Sequence, residues 1–163
     1  MKWWYTFLFL NAINLLFSQE TISDVIRQFN KNTVAYISVE ELKRENNSIL
    51  LDVREMEEYN VSHIRNAIFI GDKHFNKDSV ATIIPNKNAK IIVYCSLGVR
   101  SENRGEELIK LGYTNVYNLY GGIFEWKNKG NEVVNNDGIT TEEVHAFSKM
   151  WEKYLIRGIK IYK

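Results

Sequence analysis

The stretch from Lys90 to Gly112 constrains this chain more than any other. Ile91 to Tyr94 is an unbroken apolar run, the pattern of a strand buried on both faces. Ser101 to Leu111 reads as a helix, with Leu108, Ile109 and Leu111 on one side and Gly112 as its stop. A buried strand that turns directly into a helix suits a parallel α/β sheet. The turn between them begins with Cys95, the single cysteine of the chain. Backbone N–H groups converge at such a turn, so it suits an anion.

The flanking sequence repeats the alternation. Short apolar runs at Val34–Ile37, Ile49–Val53, Ala67–Ile70 and Val116–Leu119 predict four more strands. Between them, Ser38 and Glu41 form a capping box that starts a helix at Val39. Glu55–Tyr59 predicts one helical turn, and a helix within Asp72–Ile84 ends at Pro85. Gly121-Gly122 turns into a helix over Ile123–Lys129, and the double glycine permits close backbone approach to the Cys95 turn. The expected fold is therefore α/β, a central five-stranded parallel sheet with helices on both faces and right-handed crossovers. Ligands of such sheets bind beyond the carboxyl ends of the strands, where Cys95 lies.

Both ends extend past this pattern. Lys2 followed by the mostly apolar Trp3–Phe17 and the polar Ser18-Gln19-Glu20 has the form of a secretory signal peptide. It is shorter than the roughly 20 residues of a spanning helix, which disfavours an uncleaved anchor. Residues 1–19 are thus expected to be removed, leaving an exported protein, periplasmic or secreted, with no membrane span. Residues 20–33 predict an N-terminal helix with Ile22, Val25, Ile26 and Phe29 on one face. Gly130–Gly138 predicts a polar loop. Thr140 and Glu143 predict the cap of a last helix, with Val144, Phe147, Trp151 and Leu155 as its stripe, followed by an edge strand at Ile159–Lys163. That helix serves as core cover or as a docking surface. The formal net charge of +1 gives no argument for a nucleic-acid partner. Three scattered histidines, His63, His74 and His145, and one cysteine lack metal-ligand spacing.

A lone cysteine in an oxidising compartment is either an inert core residue or is kept for its reactivity. The loop favours reactivity. A helix N-terminus carries partial positive charge and unpartnered N–H groups, which stabilise a thiolate. Thiol pKa values in such places fall from about 8.5 into the range of roughly 3.5–7.5. Gly98 lets the backbone curl into a nest of N–H groups, Arg100 adds a permanent charge, and Ser101 can cap the helix. Arg100 paired with a surface acid is the plain alternative.

Four motifs resemble the rhodanese-like sulfurtransferase domains. Leu50-Leu51-Asp52-Val53-Arg54, with Glu58-Tyr59 and His63-Ile64, is similar to the family's first signature. Val93 to Ser101 resembles its active-site loop. Gly112-Tyr113 with Val116–Leu119 resembles the segment that follows, and Gly121-Gly122-Ile123 with Trp126 and Gly130 resembles the closing signature. The likeness spans residues 34–130, leaving 131–163 as a C-terminal helical extension packed on that domain. The chain departs from the family at Ser62-His63-Ile64-Arg65-Asn66-Ala67, where glycines and a proline are usual. Altered loop geometry is expected there, since asparagine tolerates the left-handed conformation.

The resemblance implies a sulfurtransferase without cofactor. Cys95 is the catalytic nucleophile, and Ser96, Leu97, Gly98, Val99, Arg100 and Ser101 bind the substrate sulfur. Small sulfur donors such as thiosulfate are its partners, and the acceptor is cyanide, a small thiol or a protein thiol. Asp52 and Arg54 support the loop, or form an ordinary strand-end ion pair with Glu58 or a neighbour. His63 is structural by its motif position, with general base as the alternative, and Trp126 is core. A non-catalytic persulfide- or partner-binding module is the rival reading. Phosphatases and arsenate reductases with a similar loop place one more residue between cysteine and arginine; the four here, Ser96 to Val99, favour sulfur.

Overall fold

The computed structural model describes residues 20–73 and 75–162; the expected signal peptide (1–19) and His74 lie outside them. Five strands form the central sheet: β1 (Ala35–Ile37), β2 (Ile49–Asp52), β3 (Ile68–Phe69), β4 (Ile91–Tyr94) and β5 (Val116–Leu119). All are parallel, in the order β1-β5-β4-β2-β3. Among the described residues, six helices accompany them: α1 (Ile22–Phe29), α2 (Val39–Leu42), α3 (Met56–Val61), α4 (Lys77–Ile83), α5 (Val99–Lys110) and α6 (Gly122–Asn128). The Ser38–Glu41 capping box is present, with Ser38 Oγ accepting from Glu41 N at 3.1 Å.

Strand alternation divides the core. Ile92 and Tyr94 of β4 point into one layer with Val25 of α1, Leu42 of α2 and Phe124 of α6. Ile91, Val93 and then Cys95 point into the other, with Val80 of α4 and Leu108 of α5. Helices therefore cover both faces, as a parallel sheet requires. Every residue of β4 is fully buried, which makes it the anchor of the site. Register sets Asp52 beside Tyr94 and Val93 beside Asn118, so the carboxyl ends of three strands meet at Cys95.

The C-terminal region departs from expectation. No α-helix forms over 140–155. Val133–Val134 (β6) and Thr140–Thr141 (β7) make an antiparallel hairpin, and Glu143–His145 (β8) pairs in parallel with Ile159–Ile161 (β9). The one helical piece of this stretch is a single 3₁₀ turn at Glu152–Tyr154. Local hydrogen bonds compete with the helix here. Thr140, the expected cap, instead donates its hydroxyl to Glu132 Oε2 at 3.3 Å, and the neighbouring Thr141 Oγ1 accepts from Glu143 N at 3.1 Å in a short turn. His145 Nδ1 accepts from Phe147 N at 3.1 Å, and Phe147 sits at φ +64°, which no helix accommodates. Pairing decides the rest, with Ala146 N donating to Ile161 O at 2.8 Å. The expected polar loop contains the β-branched pair Val133-Val134, both buried; that pair was the readable signal for a strand. The tail strand forms as expected.

The departure at 62–67 is where this extension docks. His63 and Val134 exchange backbone hydrogen bonds at 2.8 and 2.9 Å. Ser62 Oγ donates to Glu143 O at 2.6 Å, and Arg65 Nη1 donates to Gly138 O at 3.2 Å. Asn66 takes the left-handed conformation at φ +63°.

Candidate active site

Cys95 emerges from β4 and is 2% exposed. Gly98, at φ +96°, is the left-handed residue from which α5 begins; it curls the loop so that its own N–H donates to Cys95 Sγ at 3.2 Å. The helix thus starts at Val99, two residues before the expected position. Ser101 is no cap. Its hydroxyl lies 3.5 Å from Cys95 Sγ and 2.7 Å from Asn118 Oδ1. It has one hydrogen, so it donates either to Asn118 or to the sulfur. While it donates to Asn118 it can accept from a neutral thiol; turned to the sulfur, it stabilises a thiolate.

Asn118 is fully buried in β5, and its Nδ2 donates to Gly98 O at 2.8 Å. Asn30, just after α1, donates to the same carbonyl at 2.9 Å. Two amides therefore hold the loop from either side. Asn118 was missed by sequence reasoning, although a polar residue inside the strand run Val-Tyr-Asn-Leu signalled it.

Gly122 closes the loop from below. Its φ is +55°, and an added Cβ would lie 2.2 Å from Cys95 O and 2.7 Å from Ser96 O. The close approach lets Ile123 N donate to Cys95 O at 2.9 Å and Phe124 N donate to Ser96 O at 3.1 Å. The N-terminus of α6 thereby fixes the two carbonyls that follow the strand, as the double glycine suggested.

Arg100 does pair with an acid, but a buried one. Its Nη1 and Nη2 donate to Glu58 Oε2 and Oε1 at 2.7 and 2.8 Å. Glu58 also accepts from Ser96 Oγ at 3.0 Å and from Glu55 N at 3.0 Å, so all its lone pairs face donors. Burial alone would raise the Glu58 carboxyl; the Arg100 hydrogen bonds and charge outweigh it and hold the group below the ordinary range. Burial would likewise weaken the Arg100 cation, and the carboxylate restores it, raising its pKa. Glu58 belongs to a quoted motif, yet its role as the partner of Arg100 was not legible.

Asp52 and Arg54 support the site from further away. Both are fully buried, and Arg54 Nη2 donates to Asp52 Oδ2 at 2.7 Å and to Ser62 O at 2.6 Å. Neither bonds to a loop residue from 95 to 101 among the described hydrogen bonds, and Glu58 is not their partner. They brace the end of β2 against the turn that carries the C-terminal extension. Tyr94 points away from the sulfur, as alternation requires, its hydroxyl accepting from Ile64 N at 3.1 Å. His63 stacks on Tyr59 with ring centroids 3.9 Å apart, and its Nδ1 faces Tyr59 O at 3.2 Å, a structural placement. Trp126 packs against the first core layer.

A cleft of about 130 Å³ opens over the sulfur. Ser96, Leu97, Val99 and Arg100 line it from the loop, and Phe29, Phe147 and Trp151 from the two extensions. The Phe147 ring centroid lies 4.6 Å from the Arg100 guanidinium carbon. The structure therefore gathers Cys95, Ser96, Leu97, Gly98, Val99, Arg100 and Ser101 at one place. The three aromatic walls had no readable signal, because Phe147 and Trp151 fitted a helical core stripe.

Comparison with known proteins agrees with this geometry. A family model described as "Rhodanese-like domain" matches residues 37–129, more than half of the chain. A thiosulfate sulfurtransferase GlpE of Coxiella burnetii is 28% identical over 94 residues, covering 58% of this chain and 85% of the relative. A tRNA uridine(34) hydroxylase of Hamiltonella defensa is 32% identical over 91 residues, covering 54% of this chain. This chain matches only 26% of that enzyme's length. Among solved structures, a rhodanese-related protein of Thermoplasma volcanium superposes with a TM-score of 0.55 at 31% identity, over 61% of this chain and 97% of that one.

Proposed function

The chain belongs to the rhodanese-like domain family, and on that premise we propose that it is a sulfurtransferase that carries sulfur as a persulfide on Cys95. The observation that carries the reading is the Gly98 N–H donating to Cys95 Sγ at the floor of an open cleft. A core cysteine has no use for a backbone donor, a left-handed glycine and a path to solvent. A nucleophile needs all three.

The Cys95 thiolate attacks the outer sulfur of a sulfane-sulfur donor. In thiosulfate the S–S bond breaks and sulfite leaves with its electron pair. The Cys95 persulfide anion then occupies the space beneath the first N–H groups of α5, whose partial positive charge stabilises it. Ser101 donates its hydroxyl to sulfur in either state. A thiophilic acceptor, cyanide or a thiolate, attacks the outer sulfur and returns the Cys95 thiolate. The GlpE relative supports thiosulfate as a donor class. Export to the periplasm or beyond is part of the same proposal and rests on the sequence of residues 2–19 alone.

The test is incubation of the full chain with thiosulfate, intact-mass measurement, then addition of cyanide. A gain of one sulfur on Cys95, lost again as thiocyanate forms, is the expected result. Cys95→Ser is the control; equal thiocyanate formation by that variant refutes the reading. A persulfide that forms and is never released favours a binding module instead.

A further inference from the structure

Sulfur transfer at Cys95 being granted, we propose that the donor this site selects is an organic sulfane-sulfur compound with an apolar body, such as an aryl thiosulfonate, rather than the thiosulfate dianion. Two observations meet in this assignment. First, the walls of the cleft are apolar: Phe29, Leu97, Val99, Phe147 and Trp151 stand around the sulfur. Second, the one charged side chain lining it among the described residues, Arg100, has its guanidinium engaged by Glu58 through two short hydrogen bonds and covered by the Phe147 ring. A dianion entering here meets a cation already neutralised and gives up its hydration to hydrocarbon, which is costly without a free counter-charge. A monoanion whose charge sits at its sulfur end, with a ring behind it, leaves the charge to the loop N–H groups and places the ring on the aromatic walls.

The walls are built rather than incidental. Phe29 and Trp151 meet edge to face with centroids 5.9 Å apart, a favoured aromatic arrangement. Asn30, the next residue after Phe29, is fastened to Gly98 O. Phe147 is held by the bond from its N–H to His145. Tyr154 Oη donates to Glu20 Oε2 at 2.6 Å, tying the two extensions together. Phe29 and Phe147 are nevertheless 51% and 44% exposed, so each ring keeps surface open to an incoming apolar group. The cleft volume of about 130 Å³ is close to the roughly 150 Å³ of a cavity that holds one benzene ring. All three aromatic walls lie outside the segment matched by the family model, so this selectivity belongs to the extensions.

The step balances without a further reagent. The Cys95 thiolate bonds to the outer sulfur of the thiosulfonate, that sulfur's bond to the sulfonyl sulfur breaks, and the sulfinate leaves with the electron pair. The persulfide anion remains on Cys95, and the total charge is unchanged.

The experiment compares benzenethiosulfonate with thiosulfate as donors to the full chain, with cyanide as common acceptor, and reads the ratio of their kcat/KM values. The expected ratio is at least about tenfold in favour of the aromatic donor, the discrimination an apolar pocket supplies. Phe29→Ala and Phe147→Ala are each expected to reduce that ratio severalfold, and a general folding defect cancels from it. A ratio at or below one, or a ratio unmoved by both substitutions, overturns the donor class while sulfur transfer stands. Transfer from neither donor sinks the sulfurtransferase reading and this one with it.

Discussion

Arg100 and Glu58 face each other as a two-pronged ion pair, Nη1 to Oε2 at 2.7 Å and Nη2 to Oε1 at 2.8 Å, with the carboxylate side chain 3% exposed. The pair joins α3 to the first turn of α5. It fixes the far end of the loop that Cys95 opens.

Replacing Glu58 by Gln leaves Arg100 partly buried without a counter-charge. Loss of one partner from a buried pair costs about 3–5 kcal/mol, and a value in the lower half of that range is expected because Arg100 is 20% exposed. Urea denaturation measures it. The freed cation also favours a dianionic donor, so thiosulfate should gain on benzenethiosulfonate in relative kcat/KM. A variant as stable as the parent would remove the pair from the account of the loop.

Gly122→Ala is expected to disturb the site from beneath. The new Cβ meets Cys95 O at 2.2 Å while the backbone stays at φ +55°. Left-handed strain in a non-glycine residue alone costs about 1–3 kcal/mol, and relieving the clash moves the Cys95 carbonyl. Both the melting temperature and the rate of persulfide formation should fall, the rate by tenfold or more. Unchanged kinetics in a folded variant would show that α6 does not position the nucleophile.

Asp52→Asn removes the charge that offsets Arg54, whose side chain is fully buried. A loss of about 3–5 kcal/mol is expected. Because neither residue bonds to the loop, the variant that remains folded at low temperature should still acquire sulfur on Cys95. Full stability with abolished persulfide formation would contradict the structural role assigned here.

Acid should weaken the fold in two stages. Burial holds His63 and His145 below the ordinary histidine value of 6.5. The unfolded chain therefore binds protons first as pH falls. Stability is fully present above about pH 6.5 and is lost as pH drops from there through the depressed folded values. Glu58, also depressed, adds stability that is present above its unfolded value near 4.5 and is lost on further acidification. Melting temperatures from pH 8 to 4 should show the first decline near pH 6.5. The double variant His63→Gln, His145→Gln should flatten that stage and leave the lower one.

The chain that moves most between sequence and structure is the C-terminal region. A stripe of Val144, Phe147, Trp151 and Leu155 at helical spacing, headed by a capping pattern, describes a helix. The chain instead folds two small sheets onto the turn at Ser62–Arg65. Spacing could not reveal this, because the partners that stabilise the extended form, Ile161 O for Ala146 and Val134 for His63, are remote in sequence. The same separation hid Glu58 from Arg100 and Phe29 from Trp151.

By itself the sequence determined the parallel sheet, the place of Cys95 at its carboxyl edge and the loop from Ser96 to Ser101. These rest on local signals: apolar runs, a glycine able to take a left-handed turn, and a helix start. Only the tertiary structure decided what surrounds that loop. Glu58 neutralises the arginine that reads as a free cation, and aromatic side chains from both ends of the chain wall the cleft. Charge pairing and burial depend on which distant residues share a volume, and that is a property of packing rather than of order along the chain.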